Sequence, residues 1–315
     1  MTDFRIGIAL WSQAGTWPEM LDAAGRVDRL DFDHLWTWDH LHGIFGDPLQ
    51  PVLEGYTLLG AWAVATRRVR LGLLVGANTF RNPGVVTKSI TTLDHVSGGR
   101  AILGIGGAWF EEEHIAHGLA FGAGFGERLA WLDEAAGAMR TLLDGGTVDS
   151  GPTDHYAFRA LRQEPRPLQA HLPIMIGGGG EKKTLRSVAR YADYWNVSAD
   201  PAGLARKNAI LDEHCAAVGR DPSTIVRTSN TWVVIRDSRR EAERVWATQM
   251  ARNRSDLLPE ERYRTFLGPV EYVAGRLREH VEAGFESTIV ELPAPYDSET
   301  IERLSGEVKP LVDRG

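Results

Sequence analysis

The sequence predicts an α/β chain folded as one (β/α)8 barrel with insertions, a single domain over residues 1–315. Three observations predict it. Eight short apolar runs alternate with segments of helical periodicity along the chain. The runs are apolar at successive positions, as in a parallel sheet covered by helices. The first ends Ala9-Leu10-Trp11-Ser12-Gln13, without the tight glycine-rich turn that opens a doubly wound dinucleotide fold. Eight such units on this length suit a closed barrel.

In order, Phe4–Leu10 reads as a buried first strand, and Trp17, Met20, Leu21, Ala24 and Val27 recur at helical spacing. His34–Trp38 is the second strand. Leu58, Leu59 and Trp62 share one helix face within 55–67, and Val69–Val75 is the third strand. Pro83 opens a helix carrying Val86, Ile90 and Leu93, because proline suits a first turn. Ala101–Ile105 is the fourth strand; a long helix through Leu129, Leu132, Ala136, Met139 and Leu143 stops at Gly145-Gly146. The segment 147–158 reads as a surface hairpin outside the repeat. Pro173–Ile176 and Tyr194–Val197 are the fifth and sixth strands, separated by a helix over Leu185, Val188, Ala189 and Ala192. A helix over 204–218 precedes a broad seventh strand, Ile225–Ile235. Glu241–Met250 is helical. Polar residues 252–268 read as short helices or a lid. A helix through Val270, Val273, Leu277 and Val281 leads to the eighth strand, Ser287–Leu292, and a closing helix holds Ile301, Leu304 and Val308.

Composition narrows the function. With 35 basic and 42 acidic side chains the net charge is −7, which argues against a nucleic-acid partner. The one cysteine, Cys215, excludes an internal disulfide and a cysteine-rich metal site. No apolar run reaches the roughly 18–20 residues of a membrane span, and the start lacks a signal-peptide core. A soluble cytoplasmic protein with a small-molecule substrate is expected.

Barrel enzymes place their chemistry at the C-terminal ends of the strands. Asp39-His40 ends the second strand. His40 is suited to moving protons near neutral pH. Asp39 can orient it, accept a proton, or bind a ring nitrogen or ribose hydroxyl; the structural alternative is a helix cap beside an incidental histidine. Leu74-Val75-Gly76 leads to Asn78 and Thr79, whose short polar groups can meet the edge of a ring cofactor. Gly106-Gly107 permits close approach after the fourth strand, and Trp109 can wall a planar ligand. Glu111-Glu112-Glu113-His114 with His117 lacks the zinc-helix spacing, so no metal is expected; an acidic first helical turn explains it better, with one glutamate free to enter the pocket.

The strongest signal is Gly177-Gly178-Gly179-Gly180, after the apolar run Pro173–Ile176 and before the helix-like Glu181-Lys182-Lys183-Thr184-Leu185. Bare main chain at a helix start favours an anion, here a cofactor phosphate. The alternative is a turn needing glycine dihedrals alone. It is not a triphosphate loop, because Gly-Lys-Ser/Thr does not follow.

These segments together resemble the bacterial luciferase-like superfamily, in particular its coenzyme F420-dependent oxidoreductase branch. The resemblance rests on Trp36-Thr37-Trp38-Asp39-His40, Leu71–Val75 running to Thr79-Phe80-Arg81-Asn82-Pro83, Leu103–Glu111, Pro173–Gly180, and Ala189–Asn196. It implies a luciferase-like barrel, usually a homodimer, with the deazaflavin across its C-terminal mouth and the phosphate on Gly177–Gly180. A non-proline cis peptide is expected near Leu74-Val75. Asp39 and the residues Leu74, Val75, Gly76, Asn78, Gly106, Gly107 and Trp109 would bind the cofactor, and His40 or Glu113 would handle protons. One branch, the sugar-phosphate dehydrogenases, has a glutamate where this chain has Trp109, which disfavours a glucose-phosphate substrate. The expected activity is hydride transfer between F420 and a small organic substrate beneath Trp109, with Trp11 or Trp38 as further walls. The alternatives are an FMN-dependent monooxygenase using reduced flavin and oxygen, and a non-enzymatic flavin-binding protein.

Overall fold

Eight parallel strand positions close into a ring in the computed structural model, which describes residues 4–30, 32–256 and 263–313. The strands are β1 (Arg5–Leu10), β2 (His34–Thr37), β3 (Arg70–Leu73), β4 (Gly76–Ala77), β5 (Leu103–Gly106), β6 (Ile174–Gly177), β7 (Tyr194–Val197), β8 (Val226–Ile235), β9 (Thr265–Gly268) and β10 (Ser287–Leu292). Their hydrogen-bonded order is β3-β2-β1-β10-β8-β7-β6-β5-β4, all parallel. The segments β3 and β4 are two halves of the third barrel strand, interrupted at a cis Leu74–Val75 peptide. A parallel bridge from Leu71 to Ala101 joins the two ends of the order and closes the barrel. The expected fold is therefore the observed one.

The helices lie outside the ring: α1 (Trp17–Arg29), α2 (Gly55–Ala65), α3 (Pro83–Ser97), α4 (Glu111–His117), α5 (Phe125–Leu143), α6 (Thr184–Tyr191), α7 (Pro201–Val218), α8 (Arg239–Arg252), α9 (Val270–Glu282), α10 (Ser298–Arg303) and α11 (Lys309–Asp313). Their limits follow local chemistry. Asn82 accepts from the Gly84 N–H, Pro83 fills the first turn of α3, and Gly98 ends it at φ +71°. Asp200 and Pro201 start α7 in the same way, and Gly219 ends it at φ +71°.

One core layer joins helices to barrel through Ile6, Ile8, Trp62, Leu71 and their neighbours; a smaller set, Ala9, Trp36, Ile102, Met175 and Ile289, fills the lumen. Trp36 fits there because its neighbour lacks a side chain. A Cβ on Gly72 would lie 2.3 Å from the Trp36 ring. The lumen is thus packed by alternating large and small residues.

Three expectations change. The fourth strand begins at Leu103 rather than Ala101, since Ala101 and Ile102 are used in the closing contacts to Leu71. The lid or short helices expected over 252–268 fall partly on 257–262, outside the described residues; Thr265–Gly268 is instead β9, paired with the far end of β8. In the 147–158 hairpin the Ser150 N–H bonds to Phe158 O and Val148 pairs with Leu161, so the return limb runs on past its expected end at Phe158.

Two histidines near the N-terminal rim of the strands are buried and neutral. Burial, then Arg70 and Arg5, hold His34 down at about 3. Burial, then Arg276, hold His280 down at about 4. Both take up protons more readily when unfolded, so their stability contribution is complete above about 6.5 and declines as pH falls. Between pH 7 and 5 each should cost about 2 kcal/mol. Urea unfolding at the two pH values checks this. His34→Gln should remove its share of the loss, and an unchanged pH dependence would contradict the assignment.

Candidate active site

A cavity of about 310 Å3 opens at the C-terminal ends of the strands. Asp39 and His40 enter it from the end of β2, Leu74 to Ala77 from the third strand, Gly106 to Trp109 from β5, and Gly177 and Gly178 from β6. Leu74 and Val75 flank the cis bond, where the resemblance placed it. Val75 occupies the space that two glycines leave: a Cβ on Gly106 or Gly177 would come within 2.7 or 2.9 Å of its Cγ2. Gly107 is bounded by Leu129, 2.9 Å from such a Cβ. Trp109 and Phe125, 59% and 52% exposed, form an apolar lip.

His40 and Glu113 form a pair. The Nδ1 of His40 lies 2.8 Å from Oε1 of Glu113. A carboxylate only accepts, so Nδ1 carries the proton and Nε2 is left as the acceptor. No described residue hydrogen-bonds Nε2. Glu113 is 1% exposed, and its Oε2 accepts the Leu41 N–H at 2.7 Å. Burial pushes the Glu113 carboxyl up, but the His40 contact and the Leu41 and His42 amides outweigh it and hold it below its ordinary value. Glu113 is therefore an anion spent on orienting His40, rather than a second acid that reaches a ligand by itself.

Asp39 is 3% exposed and held by a two-point contact with Arg81 at 2.7 and 3.0 Å. Burial pushes its carboxyl up, while Arg81 and the Ala77 N–H pull against that shift. Arg81 also binds Glu54 at 2.7 Å. It holds Asp39 in place. Among the described residues Oδ1 of Asp39 accepts from Arg81 alone, so acceptor capacity remains.

The glycine turn is built by side chains that the sequence reading missed. Trp195, fully buried, donates from Nε1 to the Gly178 carbonyl at 2.9 Å. Lys207 donates to the Gly179 carbonyl at 2.6 Å. In a trans peptide the following N–H points away from the carbonyl. The N–H groups of Gly179 and Gly180 are thus turned away from Trp195 and Lys207, and neither has an acceptor among the described residues. Helix α6 starts just beyond, with no side-chain cap. The turn also needs glycine at one position, where Gly178 has φ +126°. The structure shows the glycine dihedral at Gly178 and leaves the Gly179 and Gly180 N–H groups without an acceptor among the described residues.

Not every expected residue lies on the cavity wall. Gly179 and Gly180 sit beyond Gly178, outside it. Asn78 is 2% exposed and donates to the Tyr156 hydroxyl at 2.9 Å, tying the strand end to the 147–161 loop. Trp11 and Trp38 are buried in an aromatic cluster with Trp232 and Trp246, so neither walls the cavity. His114 uses both ring nitrogens, on Phe110 O and Thr79 Oγ1. Lys183 donates to Gly126 O at 2.7 Å. The wall also contains Ser198, Asn230 and Glu291. Glu291 had a readable signal, a carboxylate in the apolar strand Ser287–Leu292 near its C-terminal end. Ser198 and Asn230 had none.

Residues 2–287 match the family model described as luciferase-like monooxygenase. An uncharacterized Mycobacterium tuberculosis protein is 33% identical over 182 residues, 56% of this chain and 60% of that relative. The match therefore spans less than two thirds of the relative's length. Another M. tuberculosis protein, provisionally named a coenzyme F420-dependent oxidoreductase, is 32% identical over 207 residues, 60% of this chain and 57% of its own. In fold, the chain superposes on an F420-dependent secondary alcohol dehydrogenase holding an F420–acetone adduct with a TM-score of 0.84, at 20% identity over 98% of this chain and 99% of that one.

Proposed function

Because the chain belongs to the luciferase-like monooxygenase family, we propose that it is a coenzyme F420-dependent oxidoreductase acting on a small organic substrate. The observation that carries this reading is one cavity flanked by a bare main-chain anion cradle and lined by a carboxylate-held histidine. The M. tuberculosis relative provisionally named for F420 supports the choice of cofactor.

The residues present fit that cofactor. The orphan N–H groups of Gly179 and Gly180 would hold its phosphate, and Leu74 and Val75 would support its ring. The spare acceptor of Asp39 would take a ring or polyol hydrogen. When bound, F420 supplies a ring carbon that gives or accepts a hydride, a pair of electrons with one proton.

The protein's own contribution is proton handling and exclusion of water. For an alcohol, Nε2 of His40 would take the hydroxyl proton as the carbon-bound hydrogen departs with its electron pair, leaving a carbonyl. In the reverse direction the same nitrogen returns the proton to the carbonyl oxygen. Glu113 stabilises the imidazolium and fixes the ring so that Nε2 serves as the base. Trp109 and Phe125 give an apolar entrance that suits a planar or apolar substrate.

Fluorescence titration of the apoprotein with F420 and, separately, with FMN tests the reading. Micromolar or tighter binding of F420, with FMN weaker, is expected. Tight FMN binding with oxygen uptake would instead assign the chain to the flavin monooxygenases.

A further inference from the structure

Three carboxylates line the cavity, Asp39, Glu113 and Glu291, and no lysine or arginine is among its described lining residues. Two of the three are already engaged as parts of other machinery. Asp39 holds a guanidinium at two points, and Glu113 holds His40 and two backbone amides. Glu291, 5% exposed near the end of β10, is different. Its Oε2 accepts the indole N–H groups of Trp11 and Trp38 at 3.2 and 3.1 Å. Its Oε1 accepts the Asn230 amide at 2.7 Å, with Arg264 a looser 3.5 Å away.

The direction of the Asn230 bond fixes the chemistry. A carboxylate cannot donate, so the amide nitrogen faces Glu291 and Oδ1 faces elsewhere. That Oδ1 is buried and has no hydrogen-bond partner, although Asn230 lines the cavity. A buried acceptor without a donor is costly until a ligand supplies one. With Asn230 on one of its two lone pairs and Arg264 beyond ordinary hydrogen-bond length, Oε1 of Glu291 offers a second acceptor. This end of the cavity offers two unfilled acceptors, and beside them the unpartnered Ser198 hydroxyl, which can donate or accept. A carboxylate or phosphate would face the Glu291 carboxylate and the Asn230 carbonyl oxygen, with no lysine or arginine among the described lining residues to receive it.

We propose that Asn230 and Glu291 form a substrate-recognition subsite that selects a neutral, hydroxyl-bearing substrate over an anion of the same shape. The inference rests on the cavity being the substrate site, as the functional reading holds. Trp11, Trp38 and Asn230 serve to present the Glu291 carboxylate in a fixed orientation, which limits the entropy lost when a ligand hydroxyl docks.

Phenylethanediol and mandelate make a matched pair, differing in one hydroxymethyl against one carboxylate. Calorimetric titration of each, with the protein alone and saturated with F420, tests the proposal. The diol is expected to bind at least about tenfold more tightly than mandelate. Glu291→Gln should erase most of that preference, and Asn230→Ala should weaken the diol several-fold without improving mandelate. The affinity for F420 should stay within a few-fold in both variants. Mandelate binding as well as the diol, no measurable diol binding, or an unchanged ratio in Glu291→Gln overturns the subsite. Loss of F420 binding by the wild-type protein would instead overturn the cofactor reading, and the ratio measured without F420 still decides this one.

Discussion

Replacing His40 by alanine should lower turnover about 10²-fold or more while F420 affinity stays within several-fold. The expectation follows from the geometry at Nδ1. The 2.8 Å contact to a buried carboxylate leaves Nε2 as the histidine's only free proton acceptor. Glu113→Gln keeps a hydrogen-bond acceptor beside Nδ1 and removes the charge, so its loss should be smaller, about tenfold in kcat. Residues that act as a unit are strongly non-additive. The double variant should therefore be no slower than His40→Ala alone. Steady-state kinetics of the three variants check this. Unchanged turnover in His40→Ala removes the histidine from the chemistry, and additive losses give Glu113 a separate role.

Gly178→Val should weaken F420 binding about 10²-fold. Valine does not hold φ +126° without strain, so the turn must re-form. Re-forming it breaks the alignment by which Trp195 and Lys207 direct the Gly179 and Gly180 amides. Trp195→Phe keeps the aromatic packing and deletes the donor, and should give a smaller loss in the same direction. Fluorescence titration of both variants reads the effect. Normal affinity in Gly178→Val would place the phosphate at another loop.

The barrel was legible in the sequence because its strands are short, apolar and evenly interleaved with amphipathic helices. Tyr194–Val197 and Ser287–Leu292 have the limits expected from that pattern. What escaped was β9, whose four residues follow a polar stretch and pair only with the end of β8. Site residues at strand ends were legible by position: Asp39, His40 and Gly177 line the cavity as that rule implies. Residues reaching the site through tertiary contact were not. Trp195 and Lys207 are ordinary members of a strand and a helix until folding brings them to the glycine turn. Trp11 and Trp38 misled for the same reason. An aromatic at a strand end can wall a cavity or pack behind it, and only the fold shows that their indoles point to Glu291.

The central claim is that bare main chain after β6 holds a cofactor phosphate. Its most direct test compares two ligands that differ only there, a deazaflavin 5′-phosphate and the same compound with a free 5′-hydroxyl. Bound to the wild-type protein, the phosphate form should be tighter by about tenfold or more, and Gly178→Val should abolish that advantage. Equal affinities for the two ligands in the wild-type protein would contradict it.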